Sequence, residues 1–536
     1  MARLDSHVHP KSSDFVRNRA HMLDLLGQLS ERQAAARNAG GAKAAQRLAQ
    51  RGKLSPRERL ERLLDRGGEF FELSPLAAWG HYDDEAPGAG VINGIGRVSG
   101  RLVMIGSNDT RVKGGAIYPL GADKMIRAQT IARENGLPTV SLVESAGANL
   151  MYQAELFAPG HRGGRGFCNQ ARMSAAGLPQ IAIVFGNATA GGAYVPGMSD
   201  YTVMVQNQAK VFLAGPPLVK AATGADCDDE TLGGAHMHHT VSGLCDYLAQ
   251  DDADAIRIGR QIVANLTSKH HPVPRAASRE PAYDPEELLG LVPSDLKIPF
   301  DIREVIARIV DASEFDEFRV GYGPTLVCGF AHIEGFQIGV LGNNGPLFSE
   351  SALKATHFIQ LCCQKRIPIL YLQNITGFMV GVDAERKGIV KDGAKMVHAV
   401  ATASVPQFTV LVGGSFGAGN YGMCGRAFDP RLLVTWPSSR IAVMGGEQAA
   451  RVLRIVQEEA MRKMGIQADA DELSAMESTV KEEFLRQSDP YFATSQLWDD
   501  GIIDPRHTRQ VLALGLEAAW QRDVAAQPPA FGVFRM

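Results

Sequence analysis

The chain is predicted to be an α/β protein made of two tandem copies of one domain, and three observations carry that prediction. Apolar runs of strand length alternate with helix-length amphipathic runs. The same order of short signatures occurs twice. Its spacing falls slowly, from 246 (Arg57 to Arg303) through 235 (Gly94 to Gly329) and 230 (Lys124 to Lys354) to 227 (Gly186 to Gly413), as small loop changes would make it. Between the copies, residues 267–299 hold six prolines, at 272, 274, 281, 285, 293 and 299. The organisation expected is an N-terminal arm over 1–21, a first domain over 22–280 and a second over 281–536.

In chain order, residues 14–50 are polar and Ala-rich and read as helix with a break at Gly40-Gly41. Ser55-Pro56-Arg57-Glu58 opens a second helix. Ser55 is the N-cap, Pro56 takes the first helical position and Glu58 completes a capping box. Leu60, Leu63 and Leu64 give this helix its apolar stripe, and its end is expected near Asp65–Gly68. From Gly90 to Ser107 the pattern is strand, turn at Ser99-Gly100, strand. Lys113 to Tyr118 is a loop, Ala122–Asn135 a helix, and Pro138–Val143 the next strand. In the second copy, Arg303–Asp311 echoes Arg57–Asp65, and Gly329–Gly335 echoes Gly94–Gly100. Pro138 and Pro368 each follow their lysine by fourteen residues and precede a glycine, Gly147 or Gly377, by nine.

Composition narrows the class. At 536 residues the chain exceeds one ordinary core. Hydrophobic residues at 45% and charged residues at 21% predict a soluble globular protein. A formal net charge of −3 with mixed signs gives no reason to expect nucleic acid or an anionic membrane as partner. Cys168, Cys227, Cys245, Cys328, Cys362, Cys363 and Cys424 include no C-x-x-C pair. This argues against a zinc ribbon or disulfide framework and fits a reducing cytoplasm. The start, with His7 and His9, has no signal-peptide core and reads as a disordered arm. No apolar stretch approaches 18 residues, so no membrane span is expected.

The chemistry concentrates in Asn187–Val195, after the apolar run Ile181–Phe185 that reads as a buried strand ending at Gly186. Gly191 and Gly192 let backbone approach a ligand without a Cβ in the way. Amide N–H groups aimed at a developing negative oxygen form an oxyanion hole. One such turn is weak evidence, but Gly413–Tyr421 repeats it. Each copy thus presents two glycine-bearing loops at strand ends: Ser145–Gly147 with Ala190–Ala193, and Thr376-Gly377 with Gly417–Gly419. Two such sites suggest two ligands whose oxygens both become negative.

From Arg51-Gly52-Lys53-Leu54 through Lys113-Gly114-Gly115 and Thr189–Pro196 to Phe416–Tyr421, the chain resembles the carboxyltransferase β subunits of biotin-dependent acyl-CoA carboxylases. Within that family it is most similar to the methylcrotonyl-CoA and geranyl-CoA carboxylase branch. The resemblance implies two crotonase-like (ClpP/crotonase) domains, with active sites between the N-domain of one subunit and the C-domain of another. It implies a β hexamer in an α6β6 complex, whose separate biotin carboxylase/biotin carrier α subunit holds the biotin. It also implies that Gly191, Gly192 and Ala193 hold the acyl-CoA thioester oxygen, and Ala418 and Gly419 the biotin ureido oxygen. Lys113, Gly114, Gly115, Ser145 and Gly147 would line the acyl-CoA side; Thr376, Gly377, Phe378, Phe416 and Gly417 would line the biotin side. In the mechanism implied, carboxybiotin releases CO2, the biotin anion removes the γ proton of an α,β-unsaturated thioester, and the dienolate attacks CO2. No side-chain base is required.

One stretch departs from the methylcrotonyl pattern. His161–Gln170 aligns without gaps, but carries Gly163 where those relatives have phenylalanine and Gly166 where they have isoleucine. If this segment lines the acyl pocket, the lost bulk favours geranyl-CoA, whose five extra carbons offer at most about 4 kcal/mol on burial. Geranyl-CoA would place the chain in acyclic terpene catabolism, methylcrotonyl-CoA in leucine catabolism. Lys113 is a candidate contact for a CoA phosphate, the alternative being a solvated surface lysine. His236-Met237-His238-His239 matches no standard metal-ligand spacing, so no metal site is expected. Asp200, Asp228 and Asp229 read as surface or capping residues. There is no Met-Lys-Met biotinylation site and no Gly-x-x-x-x-Gly-Lys-Ser/Thr loop, which assigns biotin attachment and ATP chemistry to another chain. Competing readings are a biotin-dependent decarboxylase subunit, a crotonase-type hydratase or isomerase, and a non-catalytic assembly scaffold. The hydratase lacks its paired glutamates, and the scaffold has no use for two intact glycine turns.

Overall fold

A computed structural model describes residues 2–38, 41–157, 159–224, 226–267, 275–464 and 469–522. Pro272 and Pro274 of the expected linker lie outside the described residues. The chain divides into two compact units. One comprises Glu31–His271 with Ser495–Leu497; the other comprises residues 1–30, Pro272–Thr494 and the segment from Trp498. Among the described residues, no helix is long and apolar enough to cross a membrane.

Strands are numbered along the chain; β1 (Ala2–Arg3) belongs to the second unit's sheet. The first unit's sheet runs β2 (Phe70–Glu72), β3 (Val91–Val98), β4 (Arg101–Asn108), β5 (Thr139–Ser145), β6 (Gln180–Thr189), β7 (Tyr201–Val205) and β9 (Tyr247–Ala249). Strand β8 (Lys210–Phe212) pairs with the end of β6. Strands β2 to β4 are antiparallel, and pairing is parallel from β4 onward. The parallel strands are apolar along their length because both faces are covered. Ile181, Ala182, Ile183, Val184 and Phe185 of β6 are all buried.

The second unit repeats this plan. Its sheet runs β1, β10 (Glu314–Glu317), β11 (Leu326–Ile333), β12 (Phe336–Asn343), β13 (Ile369–Ile375), β14 (Gln407–Phe416) and β15 (Leu432–Thr435), with β16 (Arg440–Ala442) pairing the end of β14. Matching elements share local chemistry. Ser99-Gly100 and Glu334-Gly335 both turn with two positive φ angles, the geometry a tight hairpin demands. The helices Pro119–Asn135 and Ser349–Lys365 each span 17 residues. The capping box at Ser55 forms as the sequence predicts, and its helix, Pro56–Leu63, stops one residue short of Leu64.

The expected arm and both ends of the expected first domain depart from prediction, since residues 1–30 and 275–280 belong to the second unit. Residues 1–21 are no free arm: β1 pairs with β10, the Ser6 hydroxyl donates to Glu304 at 2.6 Å, and the His7 amide donates to Glu304 at 2.7 Å. Phe15 is buried against Gly290, where any Cβ would collide with its ring. Residues 275–280 also pack on the second unit. The Ala276 amide donates to Gly335 O at 2.8 Å, and the Arg275 guanidinium stacks on the Phe336 ring. Long-range backbone pairing places both segments, and proline spacing carries no record of it.

The paired lysines are interior. Lys124 is buried, and its ammonium donates to Gly88 O at 3.1 Å and Val91 O at 2.9 Å. Burial pushes its pKa down to about 8, partly countered by Glu72. Lys354 is buried too, and burial lowers it likewise. Below about pH 8 the Lys124 amine is protonated in both folded and unfolded chains. Between about 8 and the ordinary lysine value of 10.5, the folded chain has released a proton that the unfolded chain keeps, so stability rises with pH. Denaturant midpoints at pH 8 and pH 10 should therefore rise less in Lys124→Met than in the parent, by about 1–3 kcal/mol at ~1.4 kcal/mol per pH unit. Equal slopes would remove Lys124 as the source.

Candidate active site

Each unit brings its two predicted glycine loops together at the end of its parallel sheet. In the first unit, β6 runs directly into Ala190–Ala193, a short 3-10 turn continued by the helical turn Tyr194–Gly197. Ala190 has φ +51, so the chain reverses in the left-handed region at an alanine. Gly191 is exposed, while Gly192 and Ala193 are buried. The leading amides of a helical turn have no acceptor within it, so Gly191 and Gly192 present N–H groups at the strand's end. At Gly192 a Cβ would stand 3.3 Å from Ser145 Cβ, a tight contact.

Ser145 ties the neighbouring loop together. Its hydroxyl donates to Gly115 O at 3.1 Å and accepts from the Gly147 amide at 3.1 Å. The Ile117 amide donates to Gly147 O, and the Asn149 amide to Ile117 O, each at 2.9 Å. Lys113, Gly114 and Gly115 all have positive φ, and a Cβ on Gly115 would collide with Glu144 O at 2.4 Å. Lys113, Gly114, Gly115, Ser145, Gly147 and Gly191–Ala193 thus form one cluster. The Lys113 ammonium meets Glu85 at 2.9 Å with both side chains about half exposed, so an anion could replace the carboxylate.

The second unit repeats the arrangement. The Leu347 amide donates to Gly377 O at 3.0 Å, and the Met379 amide to Leu347 O at 2.8 Å. Gly417 has φ +60 at the position matching Ala190, and Ala418 is exposed like Gly191. A Cβ on Gly419 would lie 2.4 Å from Ile375 Cγ2. Phe378, half-buried, backs the site by packing on Gly393 and Gly422. Thr376 is exposed and Phe416 half-buried beside it.

The stretch His161–Gln170 stands beside the first turn. It enters the helix Arg165–Ala175, whose Phe167 ring lies 5.6 Å from the Tyr194 ring and within 3.6 Å of where a Gly191 Cβ would be. Arg162 pairs with Asp123 through two bonds of 2.6 and 2.8 Å, and Gln170 donates to Val195 O at 2.9 Å. The two glycines of interest differ in kind. Gly166 has open space, its nearest neighbour being Gln129 Nε2 at 4.0 Å. Gly163 has φ +45, and a Cβ would meet Leu156 O at 2.6 Å and Phe157 O at 2.8 Å. Its lack of a side chain therefore has a backbone cause, and it does not by itself mark pocket room.

The other eye-catching residues have structural employment. His238 uses both ring nitrogens, against the Ser242 hydroxyl at 2.6 Å and Val211 O at 2.7 Å. Among the described residues, no group of three or more His, Cys, Asp or Glu is placed to hold a metal ion. Asp228 caps the helix Asp229–Gly233, and Asp200 accepts from the Gln180 amide. Burial pushes the Cys328 and Cys424 thiols up to about 12, which leaves them protonated and inert. Sequence reasoning missed Phe167 and a charged cluster behind the first turn. In that cluster Lys53 and Arg59 both reach Glu144, and Arg59 also reaches Asp252. The only local signal was the Arg51–Leu54 motif itself.

The carboxyl transferase domain matches residues 47–534. The probable methylcrotonoyl-CoA carboxylase β chain of Drosophila melanogaster is 51% identical, over 99% of this chain and 95% of its own length. A biotin-dependent 3-methylcrotonyl-coenzyme A carboxylase β1 subunit of Mycobacterium tuberculosis is 52% identical, over 96% and 97%. The crystal structure of the P. aeruginosa geranyl-CoA carboxylase β subunit is 46% identical and superposes with a TM-score of 0.91, over 100% of this chain and 99% of that one. Twofold repetition of the glycine turn and full-length similarity agree, and the chain belongs to the carboxyl transferase family.

Proposed function

We propose that this chain is the carboxyltransferase β subunit of a biotin-dependent acyl-CoA carboxylase, adding CO2 to the γ carbon of a branched α,β-unsaturated acyl-CoA, with geranyl-CoA as substrate. The observation that carries this reading is the repeated turn: two strand ends, each with a left-handed residue followed by outward amides and flanked by a glycine loop. The first turn, Gly191–Ala193, holds the thioester oxygen, where charge collects as the γ proton leaves. The second, Ala418-Gly419, suits a ureido oxygen, because only Gly417 and the small, exposed Ala418 lead into it, while Gly419 seats the turn against Ile375. Each amide donor contributes about 3–4 kcal/mol at the moment its oxygen becomes negative. Carboxylated biotin, carried by a separate biotin carboxylase/biotin carrier α subunit, supplies the CO2 and then the base. Lys113 steers a CoA phosphate. The reading carries with it a β hexamer within an α6β6 assembly in the cytoplasm, with ATP chemistry on the α subunit.

Gly166 supports the longer acyl chain, since a Cβ there would meet nothing nearer than Gln129 Nε2 at 4.0 Å and the residue directly precedes Phe167, whose ring stands beside the first turn. A second reading, 3-methylcrotonyl-CoA, is favoured by the 51 and 52% identity to subunits named for it. The two separate in a carboxylation assay with the biotinylated partner supplied and acetyl-, propionyl-, methylcrotonyl- and geranyl-CoA compared. Geranyl-CoA should be carboxylated with the highest kcat/KM. Gly166→Ile should then lower kcat/KM for geranyl-CoA by about tenfold or more, roughly the 1–3 kcal/mol that pocket volume commands, and change methylcrotonyl-CoA less than threefold. Activity on methylcrotonyl-CoA alone selects the second reading, and equal loss on both places residue 166 outside the pocket.

A further inference from the structure

In both units the strand that carries the glycine turn changes partners just before it. Strand β6 pairs with β7 through Val184 and with β8 from Asn187. Strand β14 pairs with β15 through Leu411 and with β16 from Gly414. On the opposite side the register jumps. Val143 faces Val184 but Ser145 faces Ala188, so Glu144 alone stands opposite Phe185, Gly186 and Asn187. Likewise Gln373 faces Leu411 but Ile375 faces Ser415, which leaves Asn374 opposite Val412, Gly413 and Gly414. Bulges between parallel strands are rare, and near active sites a bulge re-aims the residues beyond it.

The residue opposite each bulge fills it. A Cβ on Gly186 would lie 2.3 Å from Glu144 Oε1, and one on Gly413 would lie 2.4 Å from Asn374 Oδ1. A bulge also strips backbone groups of ladder partners, and buried groups of that kind need replacements. In the second unit Asn374 Oδ1 accepts from the Gly414 amide at 3.3 Å. In the first unit the supply is ionic. Lys53 Nζ donates to Phe185 O at 3.1 Å and to Glu144 Oε1 at 2.7 Å, while Arg59 donates to Glu144 Oε2 at 2.8 Å. Lys53 is held in turn, its segment anchored where the Leu54 amide donates to Asp252 at 3.1 Å.

We infer that Lys53 and Glu144 are positioning residues for the first glycine turn: their ion pair locks the β6 bulge that aims Gly191–Ala193, as the neutral Asn374 locks the β14 bulge that aims Ala418-Gly419. The inference rests on the carboxyltransferase reading of the turn and gives the Arg51–Leu54 motif a task. Both side chains act through the backbone at Phe185 and Gly186. A sub-ångström drift of an oxyanion turn costs turnover while leaving the distant CoA contacts intact.

The test uses the complex reconstituted with its biotinylated partner, and measures kcat, KM for acyl-CoA and thermal unfolding. Lys53→Met should lower kcat by about 10- to 100-fold with KM within about threefold, and Lys53→Arg should recover most of the loss. Glu144→Gln, which keeps shape and loses charge, should fall between. Where Lys53→Met does not accumulate as folded complex, Glu144→Gln carries the test, and kcat within about threefold of the parent then overturns the inference. A parental kcat in Lys53→Met, a change confined to KM, or a loss that Lys53→Arg does not recover also overturns it. Inactivity of the parent complex on every acyl-CoA would instead sink the functional reading, so the two failures are distinguishable.

Discussion

Gly419→Ala is expected to cut carboxylation turnover by about 10²- to 10³-fold, the cost of losing one oxyanion donor. The added methyl has nowhere to go. It would sit 2.4 Å from Ile375 Cγ2, and Ile375 is a fully buried, β-branched residue on β13 with little rotamer freedom. The strand is held on both sides, so the turn must move instead, and the amides of Ala418 and Gly419 move with it. Because this turn is proposed to hold the biotin oxygen, the loss should appear in kcat and in KM for the biotinylated carrier, with KM for acyl-CoA unchanged. Gly445→Ala, in the same unit with open space at its Cβ, is the control and should stay within about twofold. A Gly419→Ala enzyme within threefold of the parent would show that no essential donor lives there.

Features whose causes lie within a few residues were legible. The Ser55–Glu58 capping box and the hairpin turn at Ser99-Gly100 rest on local chemistry, and each is present, whereas the strand expected to end at Gly186 runs on to Thr189 because its last residues find a new partner strand in Lys210–Phe212. Duplication was legible because it repeats such local signals. The reversal at Ala190 was hidden, since an alanine does not advertise a left-handed φ, and only its partner Gly417 shows what the position requires. Contacts made across long separations were out of reach. Lys53 meets Glu144 across 91 residues, and Ser6 meets Glu304 across 298. Nothing near either residue records its partner. For the same reason the N-terminal segment read as an arm. Gly163 misled in a different way: a glycine gives one signal whether its site needs space or a positive φ, and here the neighbouring carbonyls set it.

Arg59→Leu should destabilise the chain by about 3–5 kcal/mol, the usual cost of removing one partner of a buried ion pair. Its side chain is 2% exposed, bonded to Glu144 and Asp252, and its guanidinium lies 4.2 Å from the centre of the Phe185 ring. Leucine could fill the apolar part of that space, so the loss comes from the carboxylates it leaves behind. Glu144 keeps Lys53, but Asp252, 5% exposed, keeps among the described residues only the Leu54 amide. Most of the penalty is therefore assigned to Asp252, and adding Asp252→Asn should restore about 1–3 kcal/mol by removing the uncompensated charge while keeping an acceptor for Leu54. Denaturant midpoints of the single and double variants measure this, and an additive loss in the double variant would contradict it. The second unit has Asn374 where this one has Glu144, and a neutral amide needs no such counter-charge. Stability and catalysis should therefore part company here: Arg59 carries more of the fold, Lys53 more of the turn's aim, although both hold the same carboxylate.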